Sequence, residues 1–551
     1  MSVLAGETLQ PVAVPAGQRR SLLAGARALF VPSFADCLFV AVLVWQFVSG
    51  AGWAVLLADG DTGWHIRVGE HILAGGGIPA KDLFSFSRPG EPWFAWEWLS
   101  DVIFALLHRA FGLKGVVWLA GAVLTATTVL LFGNVLRRTA NILLALALTL
   151  LATGASTVHF LARPHVFTLL LLVIALGLLE RDARRPGRAV WVLIPMTALW
   201  TNLHGGFLVL IACLGVRTTA LAVNWQTGRK ENLGADAART QALRSLVLTV
   251  GCILASLVNP YGYSLHLHVW RYLHSDWIRR AVDEFQSPKF RSENMLQFEV
   301  LLFLGLGCVA PLLRRRRFED VLLILFWAYA ALASVRHVPI FALIAAPVVA
   351  GELDRAWELF TATKSPRSLT GILRGLIRDF RAGAHRISVW PLATLLFVLV
   401  PGAGGNWPLD FPDRRFPARL VSRNHEVFLQ ANAAGRRVFT TDQWGDYLIY
   451  RFYPRQRVFI DGRSDFYGPA IGKEYLRLLG ARYGWDELMS RYGFDLALVP
   501  VDEPLTELLK RHPLWRVLDD DGKAVLFARR PGNDLIPSRH SAELTNGGMA
   551  Q

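Results

Sequence analysis

Two carboxylates one residue apart, Asp59 and Asp61, stand in the stretch Asp59-Gly60-Asp61-Thr62-Gly63-Trp64-His65, directly after the first long apolar run of the chain. Charge at the mouth of an apolar segment is costly, and it is kept where something uses it. Such a pair has two chemical uses. One carboxylate can act as general base on an acceptor hydroxyl, and both can ligate a hard divalent cation such as Mg2+ or Mn2+ through oxygen. The tripeptide itself is common in loops, so the information lies in its position.

Four further polar motifs punctuate the ends of apolar runs. They are Arg163-Pro164-His165, Asn202-Leu203-His204-Gly205-Gly206, Asn259-Pro260-Tyr261-Gly262 and Arg336-His337-Val338-Pro339. Arginine forks suit phosphate oxygens, and histidine can supply a hydrogen-bond donor or a proton. With His65, the residues Arg163, His165, Asn202, His204, Arg336 and His337 are therefore candidates for binding a phosphate-bearing substrate. Taken singly, each motif also reads as a helix-terminating loop. Each arginine could simply snorkel to the interface, and each histidine could make an interhelical hydrogen bond. Convergence on one face is what would make them a site.

The elements that must position them follow from composition. In 551 residues, 53% are hydrophobic, and the apolar runs recur from Phe34 to Ala403 between short Arg-rich pieces. A membrane span needs ~20 apolar residues, fewer inside a bundle. About 11 spans are expected, near 34–57, 115–136, 141–160, 165–179, 189–202, 206–224, 245–259, 297–313, 319–335, 338–351 and 388–402. No cleaved signal is expected, so the first span would act as a signal-anchor. The net charge of +15 does not point to nucleic acid, because the basic residues lie mostly between apolar runs. The four cysteines all fall inside those runs without metal-ligand spacing, so neither disulfides nor a thiolate metal site is expected.

Orientation follows from the basic residues. With the N-terminus inside, the inner pieces carry 24 Lys and Arg and the outer pieces 12. Arg184-Arg185 and the run Arg314 to Arg317 are especially hard to translocate. All the polar motifs then fall on the outer face with Asp59 and Asp61. The expected domains are a cytoplasmic segment 1–33, a transmembrane domain 34–403 with outer loop 58–114, an extracytoplasmic α/β domain 404–535 and a disordered tail 536–551. In the outer loop, Ile66 to Leu73 and Trp96 to Phe111 read as amphipathic helices lying in the interface. Trp64, Trp93, Trp96 and Trp98 would sit at headgroup level.

The C-terminal domain alternates strand-like and helix-like stretches. Val438–Thr441, Arg457–Ile460 and Leu496–Val499 read as strands, and Tyr475–Leu479 and Trp485–Tyr492 as helix. Trp515–Leu518 and Ala524–Ala528 form an expected hairpin around Asp519-Asp520-Asp521-Gly522. Asp461-Gly462-Arg463-Ser464-Asp465 could form a site, but it reads better as an acidic turn at a strand end.

The span followed by Asp-x-Asp in a long outer loop with two amphipathic helices resembles the polytopic type-C glycosyltransferases, which use polyprenyl-phosphate sugars. The block Asp61-Thr62-Gly63-Trp64-His65-Ile66-Arg67, with Gly69, Glu70, Ile72 and Leu73, resembles a bacterial set of multi-pass membrane proteins. So do Pro79, Asp82-x-Phe84-Ser85-Phe86, Glu97-Trp98-Leu99 and the later Arg-Pro-His, Asn-x-His-Gly and Asp-Gly-Arg motifs. The superfamily resemblance implies transfer of a hexosyl or pentosyl group from a polyprenyl-phosphate donor to an envelope glycan, lipid or protein acceptor. It places that reaction on the outer face of the inner membrane. The catalytic acid maps to Asp61 or Asp59, the former preferred because the shared block begins there. A metal, held by Asp59 and Asp61, is used by only some members. Two other readings stay open: a lipid or glycan transporter, and a non-catalytic envelope-assembly subunit. A transporter would carry polar motifs at midplane depth and on both faces, usually with repeats.

Overall fold

The computed structural model describes residues 30–48, 52–230, 235–292, 294–381, 388–399, 410–433 and 435–530. Most of the N-terminal segment, the end of the last expected span and the tail expected over 536–551 lie outside the described residues. Contacts divide the chain into two units. One comprises 1–78 and 94–410, and the other 79–93 and 411–551.

The first unit is helical. Its longer helices are α1 (Phe34–Val48), α2 (Asp61–His71), α3 (Trp98–Phe111), α4 (Leu113–Arg138), α5 (Ile142–Ser156), α6 (His165–Arg184), α7 (Leu193–Leu203), α8 (Phe207–Lys230), α9 (Ala235–Ala255), α10 (Tyr263–His274), α11 (Met295–Gly307), α12 (Phe318–Ala333), α13 (Val338–Thr361), α14 (Leu369–Arg381) and α15 (Trp390–Leu399), with short helices at Asp276–Ala281 and Val309–Arg314. A helix overlies each expected span. Among the described residues, five helical stretches are long and apolar enough to cross a membrane: Leu113–Arg138, Ile142–His159, Phe207–Thr227, Met295–Arg314 and Val335–Thr361. Phe34–Phe47 and Ala189–Leu203 are apolar but shorter, so the count of eleven does not carry over from sequence to structure. The chain has the character of a multi-pass membrane protein. At 26 residues α4 is about 39 Å long, enough to cross a ~30 Å hydrocarbon layer.

α13 is the central helix. Every residue from Val338 to Ala350 is buried, and it packs on α4, α5 and α12. Ala342, Ala345, Ala346 and Ala350 keep its surface low, which lets neighbouring backbones approach.

The outer-loop helices differ from the expectation. α2 buries Asp61 to Ile66 together with Val68 and Gly69, and it packs on α3. The crossing is backbone to backbone at Gly69, where a Cβ would stand 2.0 Å from the Asp101 carbonyl oxygen. Trp64 and Trp93 are buried within the protein. In α2 the apolar face is covered by protein, whereas α3 leaves Leu106 and Phe111 exposed.

The second unit is an α/β domain of α16 (Ala418–Arg423), α17 (His425–Ala433), β1 (Arg437–Thr440), α18 (Asp442–Phe452), α19 (Ser464–Leu479), α20 (Trp485–Tyr492), β2 (Phe494–Pro500), α21 (Pro504–Arg511), β3 (Trp515–Asp520) and β4 (Ala524–Arg529). The sheet order is β1-β2-β4-β3. β1 and β2 are parallel, whereas β2–β4 and the β3–β4 hairpin are antiparallel. Arg457–Ile460, expected as a strand, is not in this sheet. Instead Val458 makes an isolated parallel bridge to Ser85.

That bridge belongs to a larger departure. Residues 79–93, read from sequence as plain outer loop, are part of the C-terminal unit. Phe86 N–H donates to the Val458 carbonyl at 2.9 Å, Val458 N–H to Phe84 at 3.0 Å, and Ser87 Oγ to the Phe459 carbonyl. At the centre, the buried Arg463 guanidinium joins Asp82 Oδ1 and Asp461 Oδ2, both at 2.7 Å, and the Tyr467 hydroxyl donates to Asp461 at 2.7 Å. Phe84, Trp93 and Phe466 surround the guanidinium within 4.6 to 5.0 Å of their ring centroids. The acidic turn of the sequence reading is thus the clasp that holds the 79–93 strap. Removing one partner of a buried pair strands the other and costs about 3–5 kcal/mol. Arg463→Met is expected to lower the melting temperature of the purified protein and to expose the 79–93 segment to protease. An unchanged cleavage pattern would refute the clasp.

Candidate active site

Short segments outside the helices bring the acidic residues together. Ala162 N–H donates to the Leu56 carbonyl at 2.7 Å, and Thr62 Oγ1 to the Ala162 carbonyl at 2.9 Å. These bonds lay the Asp59–Asp61 segment against Arg163. On another side, Ser334 Oγ donates to the Glu284 carbonyl at 2.8 Å and Val335 N–H to Gln286 at 2.9 Å. Loop 283–286 is thereby tied to the segment carrying Arg336.

The result is one guanidinium among three carboxylates. Arg163 Nη1 lies 2.8 Å from Asp59 Oδ2 and 2.7 Å from Glu284 Oε1, and Nη2 lies 2.7 Å from Asp61 Oδ2. Asp59 Oδ1 also accepts the Asp61 N–H at 2.9 Å, which opens helix α2. Asp61 Oδ1 is buried without a full hydrogen bond, with the Trp64 indole a weak donor toward the carboxyl. Burial pushes Asp61 up to about 7, with Arg163 pulling it down and Asp59 and Glu284 pushing it further up. Burial also works to raise Glu284, yet Arg163 holds it well below the usual carboxylate range.

Histidines flank this cluster. Nδ1 of His204 receives the Gly206 N–H at 2.9 Å and the Thr168 hydroxyl at 2.8 Å. With two donors on Nδ1, the hydrogen-bond pattern assigns the ring proton to Nε2. That atom lies 3.4 Å from Glu97 Oε1. Burial first, then His165 and Arg336, hold His204 well below its ordinary range, so it is a neutral N–H donor. The other Glu97 oxygen lies 3.6 Å from His65 Nε2, and His65 Nδ1 meets Asp101 Oδ1 at 2.6 Å. Burial lowers His65 and raises Asp101, so the pair is neutral overall with its proton between them.

The structure brings Asp59, Asp61 and Arg163 together, as the sequence suggests. His204 and His165 stand beside them, their rings 6.4 Å apart, and His165 Nε2 bonds the His159 carbonyl at 2.6 Å. Arg336 stacks over Phe285, 4.5 Å from its centroid, and its Nη1 is buried with no hydrogen-bond partner. Three candidates are otherwise engaged. His65 is fully buried in the Asp101–Glu97 array. Asn202 accepts from Trp98 Nε1 at 2.8 Å and donates to Ala198 and Val258 carbonyls, so it pins helices. His337 Nδ1 contacts the Ala330 carbonyl at 3.2 Å.

Sequence reasoning assigned no role to Glu284, Glu97, Asp101 or His159. Asp101 left a signal: it lies on the face of α3 that buries Ser100, Phe104 and Ala105. Glu284 left none, being one acid in a polar outer loop. As for a divalent cation, the facing oxygens of Asp59, Asp61 and Glu284 are all taken by the guanidinium. Among the described residues no three His, Cys, Asp or Glu side chains are gathered to hold an ion. With Arg163 seated, the residues present do not fit a metal.

The helical bundle with the acidic cluster at one end is similar in fold to solved oligosaccharyltransferase structures. Similar solved structures include those of an archaeal oligosaccharyltransferase from Archaeoglobus fulgidus, named AglB in one of them. In complex with an inhibitory peptide and a dolichol-phosphate it matches with a TM-score of 0.53 at 11% identity, over 85% of this chain and 69% of that one. Its apo form gives 0.51 at 11%, and the form tethered to an acceptor peptide containing the NVT sequon gives 0.51 at 12%, each with the same coverage. At such identity the likeness is one of fold. No protein-family model matches the chain, and no curated protein does.

The Asp61 environment generates a pH signature. A carboxyl raised on folding contributes stability that is complete below its unfolded value of 3.8 and is lost as pH rises through about 7. Asp61→Asn lacks that loss. Its melting temperature relative to the unsubstituted protein is expected to climb from pH 4 to 7 and then level, measured by thermal unfolding in detergent. A pH-independent difference would refute a raised Asp61.

Proposed function

We propose that this protein is a membrane glycosyltransferase that moves a sugar from a polyprenyl-phosphate donor to an envelope glycan, lipid or protein acceptor. The inner bacterial membrane is its proposed location, with the acidic site and the C-terminal domain on the outer face. The observation that carries the reading is the Asp59–Asp61–Glu284 cluster on Arg163, placed on an oligosaccharyltransferase-like fold. The dolichol-phosphate bound in one of those archaeal structures and the acceptor peptide tethered in another are consistent with the two substrates proposed here.

Each residue has a task in an inverting displacement. Asp61, poised near neutrality, takes the proton of the acceptor nucleophile as that nucleophile bonds to the anomeric carbon. The bond from the anomeric carbon to the phosphate oxygen breaks, and its electron pair leaves with the lipid phosphate. Arg163 and Arg336 are the cations available to the departing charge, and His204 offers a neutral N–H. Asp59 and Glu284 position Arg163. A divalent ion, Mg2+ or Mn2+, would fall to Asp59 and Asp61 only if Arg163 left them.

Asp61→Asn is expected to reduce transfer in proteoliposomes loaded with donor lipid by about 10²–10⁴-fold, the usual reach of general-base catalysis, while insertion is unchanged. Full transfer by that variant would sink the assignment. With Arg163 in place, transfer is expected to persist in EDTA. Loss in EDTA with recovery on Mg2+ or Mn2+ would instead make Asp59 and Asp61 metal ligands.

A further inference from the structure

A polar cavity lies at the other end of the bundle from the acidic cluster. Three helices lead to it from the acidic site: α6 starts at His165, α8 just beyond His204 and α13 just beyond His337. They reach its walls at Glu180, Arg217 and Pro347, about 14–22 Å along their axes at 1.5 Å per residue. The cavity holds about 270 Å³.

Its polar wall is a ring of ion pairs. Arg138 joins Glu180 and, at 2.8 Å, Asp320. Arg217 joins Glu319 at 2.8 Å, and Arg317 joins Asp320 at 2.6 Å. Arg184 reaches Glu180 at 2.9 Å. Four arginines against three carboxylates leave one positive charge in the cavity. The arginines at the mouth, Arg184 and Arg317, are 55% and 53% exposed, so their donors are not all spent on the ring. Apart from Asn134, the remaining wall is largely apolar and includes Leu176 and Leu179 of α6 with Leu323, Ile344 and Val348. Pro347 in that wall brings no N–H, which leaves the carbonyl one turn earlier without its helical donor.

We propose that this cavity binds the phosphodiester headgroup of a membrane phospholipid. One net positive charge matches the single negative charge of a phosphodiester, and arginine forks match its oxygens. A wall that is ionic on one side and apolar on the other matches a headgroup continuous with acyl chains. The volume falls below the ~300–1,000 Å³ of pockets that enclose a whole drug-sized ligand, so a headgroup fits better than a nucleotide. Basic pockets between helices at a membrane surface are known to take such headgroups. The assignment does not depend on the transferase reading.

Native mass spectrometry of the purified full-length protein tests it with three probes: phosphatidylglycerol, diacylglycerol with the same chains, and glycerol 3-phosphate. Phosphatidylglycerol is expected to be retained at least tenfold better than diacylglycerol, and glycerol 3-phosphate is not expected to compete. The double variant Arg184→Gln/Arg317→Gln, altered only at exposed positions, is expected to lose that preference. Val348→Phe, which fills the apolar wall and leaves every charge in place, is expected to lose it too. Equal retention of both lipids, or an unchanged preference in both variants, overturns the proposal. Competition by glycerol 3-phosphate at equal concentration would assign the cavity to a water-soluble phosphoester and overturn the lipid assignment.

Discussion

The arrangement of the acidic end of the bundle depends on the Arg163 guanidinium. Three carboxylates cannot share a buried mouth without a counter-charge, because each would raise the others and none would ionise. The fork of Arg163 gives each of them one oxygen contact between 2.7 and 2.8 Å, and so lets Glu284 stay ionised while Asp61 is held near neutrality. Buried ion pairs are weak sources of stability, since desolvation offsets much of the attraction. Under the proposed transferase reading, an array of one guanidinium and three carboxyls held by loop hydrogen bonds would serve as preorganisation for chemistry more than as a brace.

The same long loop serves two purposes. Its flanks form α2 and α3 and carry Asp61, Glu97 and Asp101 in the helical unit, while its middle, 79–93, completes the C-terminal unit. Gly75 and Gly77, with φ of +88° and +72°, allow the chain to leave α2 in a direction that other residues would resist. Asp82 is then buried on Arg463 in a cage of aromatic rings, a favourable setting for a guanidinium.

Much of this was legible in the primary structure. Apolar runs located a helix at every expected span, because burying a helix in lipid demands a long, uncharged stretch that any reader can count. Asp59, Asp61 and Arg163 announced themselves as charges at span ends. In the C-terminal unit, Trp485–Tyr492 and the β3–β4 hairpin came from local periodicity and turn chemistry. What misled was the amphipathic pattern of the outer loop. A stripe of apolar residues states that one face is buried, not what buries it, so α2 was read against lipid when it lies against α3.

The sequence by itself determined the helical membrane character, the basic punctuation and the acidic pair, all of which are properties of contiguous residues. Only the tertiary structure decided the partners of Asp61. Arg163 lies about a hundred residues away and Glu284 more than two hundred, and no local rule relates residues that meet through the ends of different helices. Likewise Val458 looked like a strand because it is apolar and extended, and its pairing with Ser85 rather than the sheet was set by a strap nearly four hundred residues earlier. Burial and charge compensation are sums over neighbours in space, so the fold had to be known before either could be read.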